Sequence, residues 1–157
     1  MKNLFFFVFF FFFNSNCKAQ NVYPEKFSGC ITDHFALEKD SLVGKTDINQ
    51  LIKIVLSSLD DKSKSKIEGV LSLQIIVNLD GSSCLISMKN ETNIKSSKFK
   101  LKDVIDTIKW EIPIKKISPL IQLKFNPNSI QYRRLGINGN KGSQLIEENE
   151  FHKDSLN

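Results

Sequence analysis

The stretch from Ile67 to Gly81 constrains the fold more than any other part of this chain. Leu71, Leu73, Ile75, Val77 and Leu79 share one parity, Ser72, Gln74 and Asn78 hold the other, and only Val70 and Ile76 break the alternation. A period of two is what a strand with one buried face requires, because successive side chains point to opposite sides of a sheet. Gly69 opens the run, and Asp80-Gly81 closes it with a hairpin signal, since glycine tolerates the positive φ of a type I′ turn. Read as a two-residue loop, that turn sets Leu79 opposite Ser82, Val77 opposite Cys84, Ile75 opposite Ile86 and Leu73 opposite Met88. Cys84, Ile86 and Met88 then join the apolar face of the first strand.

The flanking segments supply partners for that face. Leu51, Ile52, Val55, Leu56 and Leu59 recur at helical spacing after Asp47, which predicts a helix over 47–59 with Asp47 as its N-cap. The charged run 60–66 reads as a solvated connector, and the polar run 91–100 as a loop. Leu101, Val104, Ile105 and Ile108 predict an amphipathic helix ending near Trp110, with Pro113 barring continuation and Trp110 closing the core. Leu120–Phe125 reads as a third strand that buries Ile121, Leu123 and Phe125 and turns Gln122 and Lys124 outward, bracketed by Pro119 and Pro127. The expected fold class is α+β: a two-layer domain with a three-stranded antiparallel sheet (β-β-α-β), one packed helix and an additional N-terminal helix. It occupies 47–127, after an irregular lead-in at 20–46. Residues 128–157 are polar and carry Gly136, Gly139 and Gly142, and they read as a disordered tail.

The first residues address the compartment. Lys2 precedes an unbroken apolar run, Leu4 to Phe13, that holds most of the 13 phenylalanines. As a helix this run covers roughly 15 Å, about half the hydrocarbon thickness, which suits the hydrophobic region of a signal peptide. Cleavage after Ala19 defines a signal peptide at 1–19 and a periplasmic or envelope location. The alternatives are an uncleaved anchor and a lipoprotein with lipid on Cys17. Without Lys2 and Lys18 the basic count falls from 22 to 20 against 17 acidic residues, a modest net charge of +3. That excess suits anionic envelope surfaces or acidic partners.

Two cysteines, Cys30 and Cys84, follow the leader. An exported pair suits a disulfide, whereas the two-residue hairpin register makes Cys84 a small buried side chain; both readings stand at this stage. No Cys-x-x-Cys pair or Cys/His cluster occurs, so neither metal nor cofactor is expected. His34 and His152 are the only histidines, and Asp33-His34 has no nucleophile signature beside it. Phosphate loops and Gly-x-Ser-x-Gly elbows are absent, so no enzyme is expected. Nucleic acid is not an expected partner either, because Arg133-Arg134 stands without interleaved exposed aromatics.

Taken in order, these pieces resemble the C-terminal domain of TonB, the periplasmic energy-transducing protein. The resemblance rests on Ile67-Glu68-Gly69-Val70, the alternating strand into Asp80-Gly81, the second strand with Ile86 and Met88, the helix ending in Trp110, Pro113, and the closing strand through Phe125. Tyr23-Pro24-Glu25 and Phe27-Ser28-Gly29 also resemble the lead-in of short exported relatives. The apolar run is short and holds no histidine, and only Pro24 precedes the domain, so the expected likeness is to a stand-alone module and not to the full transducer. The resemblance implies that extended segments of an outer-membrane receptor or another envelope protein pair with the edge of the last strand. Leu120, Gln122 and Lys124 would then read the guest, and Lys115 and Lys116 would attract an acidic one. An accessory envelope protein without a transport role is the alternative. Membrane attachment is expected only through an uncleaved signal or a lipidated Cys17.

Overall fold

The computed structural model describes residues 21–39, 43–137 and 142–153, so the leader and Cys17 lie outside the described residues. Asp47 accepts the Gln50 N–H at 3.1 Å and starts α1 (Ile48–Ser57), which buries Leu51, Ile52 and Val55. The charged stretch that follows is α2 (Asp61–Lys66) rather than a loop, because Asp60 accepts both the Ser63 N–H, at 2.8 Å, and its hydroxyl, at 3.0 Å. This N-cap satisfies backbone donors that a short helix otherwise leaves open.

The strands are β1 (Glu25–Lys26), β2 (Ala36–Leu37), β3 (Gly69–Val77), β4 (Ser83–Thr92), β5 (Ile117–Ser118), β6 (Leu120–Phe125), β7 (Ser129–Ile137) and β8 (Ser143–His152). They form one sheet in the order β1-β4-β3-β6-β7-β8, while β5 pairs with β3 and, in parallel, with β2. The expectation of a three-stranded sheet roofed by a helix is therefore overturned. Eight strands, antiparallel apart from the β2–β5 pair, carry the fold, and the helices are short.

The largest departure is the polar C-terminal segment, expected to be disordered, which forms β7 and β8. Ile130 and Tyr132 stand opposite Phe125 and Leu123 and are fully buried with them in the main core. Arg134 continues the same parity at 2 % exposure, so a charged residue sits at a core position and disguises the alternation.

The hairpin also differs. Asn78 N–H bonds to Ser82 O at 2.9 Å and Gly81 N–H to Asn78 O at 3.0 Å, which makes Leu79-Asp80-Gly81 a three-residue loop. Gly81 has φ +75°, and a Cβ there would lie 2.5 Å from Trp110 O. A turn ending in a left-handed glycine is the usual three-residue hairpin. The extra residue moves Cys84 opposite Ile76, Leu85 opposite Ile75, and Ser83 opposite Val77. A bulge at Ile86 then restores Leu73 opposite Met88. Cys84 consequently leaves the buried face of β3 for the opposite one.

The helix expected to end near Trp110, α3 (Leu101–Ile105), is only five residues long. The Ser83 hydroxyl lies within bonding distance of Ile105 O and Ile108 O, at 2.6 and 2.9 Å, and the Asp106 carboxylate accepts Leu85 N–H at 2.9 Å. The chain then turns extended: Lys109 bridges to Ser82, and Trp110 N–H bonds to Gly81 O at 2.9 Å. Trp110 thus packs into the core from a strand-like segment instead of a helix end.

The α-helices and Trp110 cover one face of the sheet, with Leu71, Leu73, Ile75, Val77, Ile121, Leu123 and Phe125 beneath them. The lead-in crosses the other face. Val22 N–H donates to Gln74 Oε1 at 2.8 Å, Tyr23 N–H to Ser87 Oγ at 3.3 Å, and Ser87 Oγ–H to Gln74 Oε1 at 2.6 Å. That cover explains why Ser72, Gln74 and Ser87, all on the polar parity, are buried.

Candidate functional site

A module that binds by strand addition needs an unpaired sheet edge. The expected edge, Leu120–Phe125, is interior. It pairs with β3 from Gly69 to Gln74 on one side and with β7 from Ile130 to Leu135 on the other. Leu120 is buried, Gln122 is half-buried and donates to Ser72 Oγ at 3.4 Å, and Lys124 is exposed. Contrary to the sequence expectation, these three residues lie on no free edge and cannot pair with a guest strand there. The reason is the same alternation through Arg134, which supplies the covering strand from the chain itself.

The expected electrostatic residues lie elsewhere. Lys115 is exposed in the loop that precedes β5. Lys116 is held back, with its Nζ 2.5 Å from Asp33 Oδ1 and 3.4 Å from Ile31 O. The bond from Lys116 keeps the Asp33 carboxyl below the usual carboxylate range. His34, next to Asp33, is exposed and holds a left-handed φ of 46°.

Cys30 and Cys84 form a disulfide. It pins the lead-in over the outer part of β4, where Glu25 pairs with Met88, Lys26 with Ser87, and Phe27 N–H with Ile86 O at 2.9 Å. Lys102 Nζ lies 3.2 Å from Cys84 Sγ and also pairs with Asp106. The β4 edge is thus partly closed by a cystine-anchored strand of two residues.

The other end of the sheet is β8, ten residues long, with β7 on one side and no strand on the other among the described residues. Lys153 N–H donates to Asn128 O at 3.0 Å, which fixes the phase of the ladder. In an antiparallel pair, bonded and non-bonded positions alternate, so Phe151, Asn149 and Glu147 bond toward β7 while Glu150 and Glu148 direct N–H and C=O outward. On one face Glu148 accepts Arg133 Nε at 2.7 Å and Gln131 Nε2 at 2.6 Å, and Glu150 accepts the Ser129 hydroxyl at 2.7 Å. These bonds hold the acidic side chains flat against β7 and leave the backbone edge open. Sequence reasoning missed β8 because its inward parity, Glu147, Asn149 and Phe151, is only half-buried and carries a single apolar residue.

A second polar feature lies inside. Arg134 Nε donates to Glu38 Oε2 at 2.6 Å, its second nitrogen bonds Glu38 Oε1, and its guanidinium lies 5.3 Å from the centroid of Trp110. Burial opposes the Arg134 charge, but the Glu38 carboxylate outweighs that cost and raises its pKa above the ordinary value. Both partners are buried, so the pair joins the lead-in to β7 and is closed to ligands. Among the described residues no group of three His, Cys, Asp or Glu side chains is placed to hold a metal, and no helix is long and apolar enough to cross a membrane.

No protein-family model, curated protein or solved structure matches this chain.

Proposed function

We propose that the chain is an exported TonB-like binding module of the cell envelope that takes an extended segment of an outer-membrane protein by strand addition along β8. The observation that carries this reading is the edge of β8 at Glu148 and Glu150, whose backbone groups face away from β7 with no strand beyond them among the described residues. A guest strand would satisfy those donors and acceptors. Glu147, Glu148 and Glu150 favour a guest with basic side chains and disfavour pairing with a second copy of β8. The Cys30–Cys84 bridge and the apolar leader support a role outside the cytoplasm. Binding, with no catalytic step, is the proposed activity.

One observation favours the second reading, an accessory envelope protein without a transport role: β7 and β8 cover the strand that TonB-like domains offer to receptors. Pull-down from solubilised outer membranes, with basic and acidic extended peptides as competitors, separates the two. Release of a bound outer-membrane protein by the basic peptide supports strand addition at β8. A partner that neither peptide displaces supports the accessory role.

A further inference from the structure

Exposed large apolar side chains gather at one end of the molecule. Ile114 is 97 % exposed and Ile112 74 %, and both line a shallow groove of about 260 Å³ with Val43 and Pro113. The hairpin turn bearing exposed Leu79 is adjacent, since a Cβ on Gly81 would lie 3.8 Å from Ile112 Cγ1. A contiguous apolar patch on a protein surface marks an interaction site, whereas scattered single residues do not.

The rim of this patch is basic. The local sequence runs Lys109-Trp110-Glu111-Ile112-Pro113-Ile114-Lys115-Lys116, with lysines on both sides of the apolar tip. The nearby acids are already engaged. Glu111 lies 3.8 Å from Lys45 Nζ, Asp33 pairs with Lys116, and Asp80 accepts the Ser82 N–H and hydroxyl at 3.0 and 2.6 Å. Lys109 and Lys115 therefore remain exposed at the rim without an ion pair among the described residues.

We propose that the Ile112-Pro113-Ile114 loop docks on an anionic lipid surface, with the two isoleucines entering the acyl region and Lys109 and Lys115 lying at the headgroups. Apolar side chains at a protruding tip need no complementary pocket in hydrocarbon, and lysines beside them gain from anionic lipid. A protein partner would have to supply a cavity for Ile114, and nothing in the loop's charge pattern calls for one. The inference is independent of the β8 edge.

Trp110, the only tryptophan, is buried in the core, so the reporter is a second tryptophan placed at the tip as Pro113→Trp. The full chain carrying it, as recovered after export, is mixed with vesicles of phosphatidylglycerol and phosphatidylcholine bearing brominated acyl chains. The expected result is quenching of the added tryptophan's emission, read against the chain without it, that weakens about tenfold or more when Ile112→Ser/Ile114→Ser is introduced as well. Lys115→Gln should weaken it several-fold and reduce the preference for phosphatidylglycerol. Circular dichroism checks that each variant is folded, and Ile114→Ser alone serves where the double variant is not. Sedimentation with vesicles without quenching of the tip reporter would assign binding to the leader or another surface and overturn the proposal. Equal quenching with and without the serine substitutions in folded chains would overturn it too, as would no interaction with either lipid, which would leave the patch to a protein partner.

Discussion

Arg134 binds Glu38 through two parallel N–H···O bonds across 96 residues of chain. Glu38 Oε1 also accepts Gly44 N–H at 2.6 Å, and Glu38 O accepts Ile137 N–H at 2.8 Å. One buried carboxylate thus ties the lead-in, the segment before α1 and the end of β7 together. Because both charges are out of water, each depends on the other for solvation.

Glu38→Gln should therefore be costly even though the substitution is nearly isosteric, because it leaves the Arg134 charge buried without a counter-charge. A loss of about 3–5 kcal/mol is expected from breaking such a pair on one side. Urea unfolding of the wild type and variant measures it. The double variant Glu38→Leu/Arg134→Met should recover most of the loss, which identifies the stranded charge as the cause.

Alkaline pH should weaken the fold through Tyr132. Burial raises its pKa from an ordinary 10.0 to about 12, and burial also raises that of Tyr23. Below pH 10 the hydroxyl is protonated in both folded and unfolded chains and the stability is fully present. Between pH 10 and about 12 the unfolded chain releases the proton while the folded one retains it, so stability falls as pH rises, by up to about 3 kcal/mol for Tyr132. Tyr132→Phe should flatten most of that slope in denaturation curves taken across this range, and an unchanged slope would remove Tyr132 as its source.

The Cys30–Cys84 bridge closes a loop of 54 residues. Chain-entropy arguments give about 4 kcal/mol of stabilisation for a loop of that length. Mass analysis without reductant should find both thiols oxidised, and Cys30→Ala/Cys84→Ala should lower the urea midpoint. Hydrogen exchange in the double variant should rise first at Phe27 and along the outer side of β4, because β1 supplies only two residues of pairing there. Two free thiols in exported protein would remove the bridge from the account.

Legibility in the sequence followed the strength of the local pattern. Leu71 to Val77, broken only at Ile76, and Ile121 to Phe125 alternate, and both strands lie where their side chains place them. Asp47 caps α1 as its position before an apolar periodic run implies. Where one residue carries two meanings, the reading failed. Gly81 suits either a two- or a three-residue loop, and that choice moves Cys84 from one face to the other. Arg134 reads as solvent-facing until Glu38 is brought beside it by the fold, and with it β7 is lost from view. Once β7 is lost, β6 reads as an edge, and the candidate site falls on the wrong strand. The open edge that exists, β8, has the composition of a tail, because neither face of it is fully buried.

Proline scanning along β8 tests the strand-addition reading residue by residue. Glu148 and Glu150 direct their N–H groups away from β7, so proline at either position removes a donor that only a guest strand would use. Asn149 donates toward β7, and proline there should break the ladder and destabilise the hairpin. Glu148→Pro and Glu150→Pro should keep the thermal midpoint close to those of Glu148→Ala and Glu150→Ala, which control for the lost bonds to Arg133 and Ser129. Capture of the outer-membrane partner should fall several-fold in the proline variants and remain in the alanine ones. Equal capture by folded proline and alanine variants would show that the partner reads side chains or another surface, and the β8 edge would be withdrawn as its site.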